Sequence, residues 1–217
     1  GCTSFGVCGK DPETAALQDL LVYAMKDVAR YMHRAYELGE RYIDVDRFMH
    51  AALFSTLTNV NFDPERFKDF MAEAVEVKNK ARKLYEQAER DAGNEPKVLD
   101  CPVAWWEGID DMNKMIRKGE SVSIQNRIDE LGEDITSLQE LLTYGIKGYA
   151  AYAYHADILG REDKDIYEFT YRALDYLTRQ PVSQDELLNL CLECDKINLR
   201  AMEILDEAHT STYGHPE

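Results

Sequence analysis

LQDLLVYAMKDVARYMHRAYELG at positions 17–39 returns, altered, as LQELLTYGIKGYAAYAYHADILG at positions 138–160. Eleven of the 23 positions are identical, at a constant offset of 121. In the first copy Leu17, Leu20, Leu21, Ala24, Met25, Val28 and Tyr31 recur at the spacing of a helix with one apolar stripe. Self-similarity at a fixed offset marks two copies of one structural unit.

Beyond the quoted stretch the same offset pairs Phe48 with Phe169, Leu53 with Leu174, Glu65 with Glu186, Leu84 with Leu205 and Glu86 with Glu207. Helix punctuation divides each unit into three. DPET at 11–14 offers Asp11 as N-cap and Pro12 at the first helical position, where a missing N–H costs nothing. Gly39 supplies a C-cap. DPER at 63–66 repeats the start device, and Ser183 with Glu186 reads as a capping box. The predicted helices are 12–39, 44–59 and 63–91, then 133–160, 162–178 and 183–209. No segment alternates with period two over a useful length. A lone amphipathic helix cannot bury its stripe, whereas three can close a small core. The reading is all-α, with two tandem three-helix bundles at 12–91 and 133–209. A cysteine loop at 1–11 precedes them, a linker with a short helix fills 92–132, and a polar tail ends the chain at 210–217. Trp105 and Trp106 in the linker are read as sealing a bundle end or the junction, since surfaces so large and apolar seldom stay exposed.

The 217 residues include 41 acidic and 25 basic side chains, for a formal net charge of -16. That balance repels nucleic acid and anionic membrane surfaces. Apolar runs are too short to span a bilayer, and no signal-peptide pattern opens the chain. The five cysteines, Cys2, Cys8, Cys101, Cys191 and Cys194, are an odd set that reads as reduced and cytoplasmic rather than as a secreted disulfide framework. A glycine start and an irregular polar finish read as cut ends.

Cys2 and Cys8 stand before the repeat and have no counterpart in the second copy, where ESVSIQNRIDELGED occupies 120–134. Thiolates ligate iron or zinc, and Fe–S clusters generally take four. Gly6 and Gly9 let such a loop wrap closely, and a helix starting at Pro12 aims free N–H groups toward it. The spacing C-x5-C fits equally a pair of ordinary thiols or a disulfide. Cys191 and Cys194 fall inside the last long helix, mapping by the offset onto Phe70 and Glu73, and read as a buried small hydrophobe and a boundary thiol. A zinc site from Cys2, Cys8, Cys191 and Cys194 is the competing use of them. Cys101 is given no role. His33, His50, His155, His209 and His215 have no metal-ligand spacing, and the helical Glu-x-x-His signature of di-iron bundles is absent. Tyr23, Tyr31, Tyr144, Tyr149, Tyr152 and Tyr154 recur at helical spacing and read as packing. No P-loop, dinucleotide fingerprint or nucleophile elbow occurs.

GCTSFGVCGKDPETAALQDLLVYAMK at 1–26, LFSTLTNVNFD at 53–63, SLQELLTYGIKGYAAYAYHADILG at 137–160 and LDEAHTSTYGHPE at 205–217 resemble the hybrid-cluster proteins, also called prismane proteins or hydroxylamine reductases. The likeness runs through essentially the whole chain and keeps the order of its segments. The family pattern opens with C-x2-C and then C-x5-C in the class carrying a 4Fe–4S cluster. Cys2 and Cys8 match the third and fourth cysteines, and the first pair would lie before Gly1. The resemblance implies two further α/β domains that hold a hybrid Fe–S–O cluster, whose ligand motifs do not occur here. It implies an electron-entry and scaffold domain, not catalytic alone, that takes electrons from a redox carrier protein toward reduction of hydroxylamine or nitric oxide. The alternative reading is a metal-free helical interaction module.

Overall fold

The computed structural model describes residues 8–215, which form eight α-helices and no strand. They are α1 (Pro12–Glu37), α2 (Ile43–Ser55), α3 (Pro64–Asp91), α4 (Met112–Ser121), α5 (Ile124–Leu131), α6 (Glu133–Ile158), α7 (Lys164–Tyr176) and α8 (Gln184–Tyr213). The all-α reading holds, and the linker supplies two short helices where one was expected.

The starts follow from the caps. Asp11 accepts from the Thr14 N–H at 2.9 Å, and Asp63 accepts from the Glu65 N–H at 2.9 Å. Ser183 accepts from the Glu186 N–H at 3.3 Å, but the Glu186 carboxylate accepts from the Tyr176 hydroxyl at 2.6 Å, so the capping box is half made. Gly39 and Gly160 end α1 and α6 at φ +86 and +77, a region that costs other residues a Cβ clash. The expected tail is not irregular at its start. Helix α8 runs on to Tyr213, because nothing breaks it before Gly214 at φ +82.

The bounds of α1 and α6, and of α2 and α7, differ by 121 at both ends. Over the third helices the register becomes 120: Asp63 and Ser183 are the caps, and Phe67, Ala74, Ala81 and Ala88 share burial with Leu187, Cys194, Ala201 and Ala208. The loop 177–183 is one residue shorter than 56–63. The offset read from sequence therefore slips by one before α8. Cys194, not Cys191, is the core residue.

The units interleave rather than standing side by side. Helix α1 packs on α3 and α7, and α6 packs on α8 and α2, so each short helix lies mainly against the long helix of the other unit. Contacts between the units come in pairs related by the offset. His33–Asp175 on α1 and α7 corresponds to Phe54–Tyr154 on α2 and α6. His50 stacked on Tyr167 corresponds to Asp46 bonded to Tyr171. Arg41 and Glu162, 121 apart, meet each other at 3.0 Å. This is a pseudo-twofold arrangement with one continuous core.

The linker is pinned by Asp27, fully buried on α1. Its carboxylate accepts from the Cys101 N–H at 2.6 Å and from Trp105 Nε1 at 2.8 Å, and pairs with Lys78 at 2.7 Å. Lys78 also lies 3.2 Å from the centre of the Trp106 ring. The tryptophans thus cover α1 and α3.

Candidate metal centre

Cys8 sits on a turn just before α1, half-buried and unbridged. Gly9 follows at φ +89, with no atom of the described residues within 4 Å of where a Cβ would project, so the turn's backbone is what calls for glycine there. Lys10 then anchors the strap: it is buried, its ammonium donates to Gln18 at 2.5 Å, and it lies over the Phe62 and Phe67 rings at 5.3 and 5.8 Å. Asp11 adds a bond from the Thr14 hydroxyl at 2.7 Å, and its bonds to the Thr14 backbone and side chain hold its carboxyl below the usual range. Cys8 is therefore presented from a fixed base. Cys2 and Gly6 lie outside the described residues.

The remaining thiols serve packing. Burial pushes the Cys101 thiol up to about 12, and Cys194 likewise to about 12. Cys194 seats against α6, its sulfur 2.6 Å from where a Cβ on Gly145 would stand. Cys191 is half-buried beside it and reaches the Leu138 carbonyl at 3.8 Å, with its pKa also raised by burial. Among the described residues no three of His, Cys, Asp and Glu gather as a metal site. Cys191 and Cys194 consequently do not join Cys8, and the four-thiolate zinc reading fails on geometry. Of the groups described, only Cys8 fits a cluster ligand; its neighbours Gly9, Lys10 and Asp11 shape and hold the loop.

The histidines have structural partners. His33 Nδ1 meets Asp175 at 2.8 Å; burial alone would raise the Asp175 pKa, but His33 and Arg179 bring it below the usual range. His50 is buried, stacked at 4.4 Å on Tyr167 and bonded to Thr170 at 3.1 Å, and desolvation lowers its pKa to about 3. Sequence reading missed Asp27, Asp46 and His50 as buried polar knots; a charged residue inside an otherwise apolar helical stripe was the available signal for Asp27.

A profile of the Prismane/CO dehydrogenase family matches residues 1–217, and the chain belongs to that family. Similar proteins are a hydroxylamine reductase of Halothermothrix orenii, 43% identical over 219 residues, and one of Acidithiobacillus ferrooxidans, 40% identical over 218. A hydroxylamine reductase of Methanocella arvoryzae is 42% identical over 216 residues. Each alignment covers 100% of this chain and 39% of the relative, so the chain spans about two fifths of the length of the relatives it matches. Membership in this family implies iron–sulfur chemistry. Among the described residues no helix is long and apolar enough to cross a membrane.

Proposed function

We propose that this chain is the helical domain of a longer hydroxylamine reductase and carries part of its electron-entry site. Cys2 and Cys8 supply two ligands of a 4Fe–4S cluster, whose other ligands lie outside this chain. The observation that carries this is the half-buried Cys8 thiol on a strap fixed by Lys10 and Asp11, in a chain that matches hydroxylamine reductases throughout its length. Such a cluster, when bound, supplies single-electron transfer. The chain's own residues present the thiols, hold the loop's backbone, and fix the interleaved helices that set distances to the rest of the protein. Helix α8 supports the presence of further protein: Leu188, Leu192, Leu199 and Met202 remain exposed along it. The domains that complete the reductase, with the hybrid cluster at which hydroxylamine or nitric oxide is reduced, are the natural cover. A redox carrier protein in the cytoplasm is the electron donor in this reading.

Cys8→Ser and Cys2→Ser in the full-length protein, purified without oxygen, test it. Iron, acid-labile sulfide and visible absorption fall while far-UV circular dichroism keeps its helical signal. Iron and sulfide left unchanged by both substitutions would remove the assignment. A metal-free interaction module is the second reading, favoured by a core that closes without any ligand; wild-type protein without iron or sulfide would select it.

A further inference from the structure

A partly enclosed cavity of about 350 Å3 lies between α1, α5 and α6. The repeat places two lysines in it, Lys26 on α1 and Lys147 on α6, at corresponding positions 121 apart. Both are only 7% exposed. Neither ammonium has a carboxylate within 4.0 Å among the described residues. Among the described residues, Lys147 Nζ lies 5.9 Å from the centre of the Tyr144 ring. The acids at corresponding positions, Asp19 and Glu140, line the same cavity. They act on the lysines across the cavity but form no ion pair with either within 4.0 Å. Glu140 is taken by Arg127 at 2.6 Å, while Glu130 accepts from Gln180 at 2.9 Å. Arg179 at the rim is held by Asp175 at 2.6 Å. Burial raises the Asp19 carboxyl above its usual range, an effect that Lys147 opposes.

We propose that this cavity is a binding site for a small oxyanion, a phosphate-like ion or a carboxylate, held between the Lys26 and Lys147 ammonium groups. Burying an ammonium without a partner is costly, and two of them lining one cavity oppose folding unless something negative completes them. Burial lowers Lys26 and Lys147 to about 8 each, Arg127 adding to the effect at Lys26, while Asp19 and Glu140 offset it. Lys10 is a further cation acting on Lys147, and Tyr23, on the α1 wall, is pushed up to about 12 by burial and stays neutral. With Arg127 paired to Glu140 and Arg179 to Asp175, the cavity is left with two lysines and two carboxylates, Asp19 and Glu130, none of them in an ion pair with another. Thr143 and Gln139, both buried on α6, add neutral polar groups to the wall. An oxyanion, with several acceptor atoms, uses two ammoniums and such groups together. The source is either solution or a carboxylate side chain from the rest of the full-length protein.

The test uses full-length protein at constant ionic strength, with inorganic phosphate and succinate as probes. Thermal midpoint and titration calorimetry are the readouts. A site open to solution gives a saturable rise in midpoint. Affinity then falls about tenfold or more in Lys26→Met and Lys147→Met, the loss of one charge-assisted bond, and Lys26→Arg restores most of it. Binding at pH 8 takes up protons, seen as a calorimetric enthalpy that changes with the buffer, because the anion favours the charged lysines. If neither probe binds and both Met variants lower the midpoint while Lys26→Arg does not, the anion is a carboxylate of the protein itself. If the probes leave the midpoint unchanged and both Met variants raise it, the cavity holds no anion and the proposal fails. Probe binding that survives both Met substitutions also overturns it.

Discussion

His50 is a buried base with one bonding partner, and the pH response of the fold should show it. Its Nδ1 has no hydrogen-bond partner among the described residues, and desolvation lowers its pKa to about 3. In the unfolded chain it takes up a proton near its ordinary pKa of about 6.5. The unfolded state therefore binds more protons between those values, and stability is present above about 6.5 and lost as pH falls toward 3. From pH 7 to 5 this one group removes roughly 2 kcal/mol. Urea midpoints of His50→Gln should fall less over that interval than those of the wild type; parallel curves would mean that His50 ionises freely in the folded state. Asp27 gives a second residue-scale expectation. Asp27→Ala strips the acceptor from Cys101 and Trp105 and leaves Lys78 with Asp100 alone, at 2.9 Å. Removing one member of a buried pair costs about 3–5 kcal/mol, measurable as a drop in urea stability followed by tryptophan fluorescence. Replacing Lys78 by Met in the same chain should recover part of the loss, since a buried ammonium that has lost one of its two carboxylates is then removed.

The elements were largely legible because their signals are local. Asp11, Pro12, Asp63 and Ser183 act within one turn, so a window of a few residues contains the cause and the effect. The register of α8 was not legible: deleting one loop residue between Tyr176 and Gln184 leaves the helix pattern intact while rotating which cysteine faces the core. Cys8 as a candidate ligand was readable from residue type and glycine context, whereas the paired lysines of the cavity required knowing that α1 and α6 face one space. Helix α4 illustrates the same limit. Gly119 looks like a weak point in a short helix, yet it is what lets α4 lie on α1. A Cβ there would stand 2.0 Å from the Ala16 carbonyl oxygen. Backbone cannot yield as a side-chain tip can, so Gly119→Ala should destabilise by about 1–3 kcal/mol as overpacking does, despite alanine's better helix propensity. Gly145→Ala meets only the Cys194 sulfur and should cost less. Thermal unfolding of both variants checks the order; Gly119→Ala as stable as the wild type would show that α4 does not rest on Ala16.

At the scale of the molecule, interleaving decides how the chain comes apart. If each repeat unit closed its own core, cutting between them would yield two folded halves. Here α1 depends on α7 and α6 depends on α2, and the Asp46 carboxylate on α2 accepts from Tyr36 of α1 and Tyr171 of α7 at 2.8 and 2.7 Å. A cut between α4 and α5, giving fragments 1–122 and 123–217, separates α1 from α7, α2 from α6 and Asp46 from Tyr171, and leaves Asp46 with Tyr36. Each fragment then exposes the apolar faces of two long helices, and the first also leaves Asp46 without Tyr171. Isolated fragments should show much less helical signal than half the intact chain, and an equimolar mixture should regain it as a one-to-one complex. The uncut chain should unfold in one transition, with tryptophan fluorescence from Trp105 and Trp106 in the first fragment coinciding with far-UV circular dichroism from both. Two fragments that each unfold cooperatively alone, with signals that add and no association, would show that the units fold independently and that the exchanged helices contribute little to holding them together.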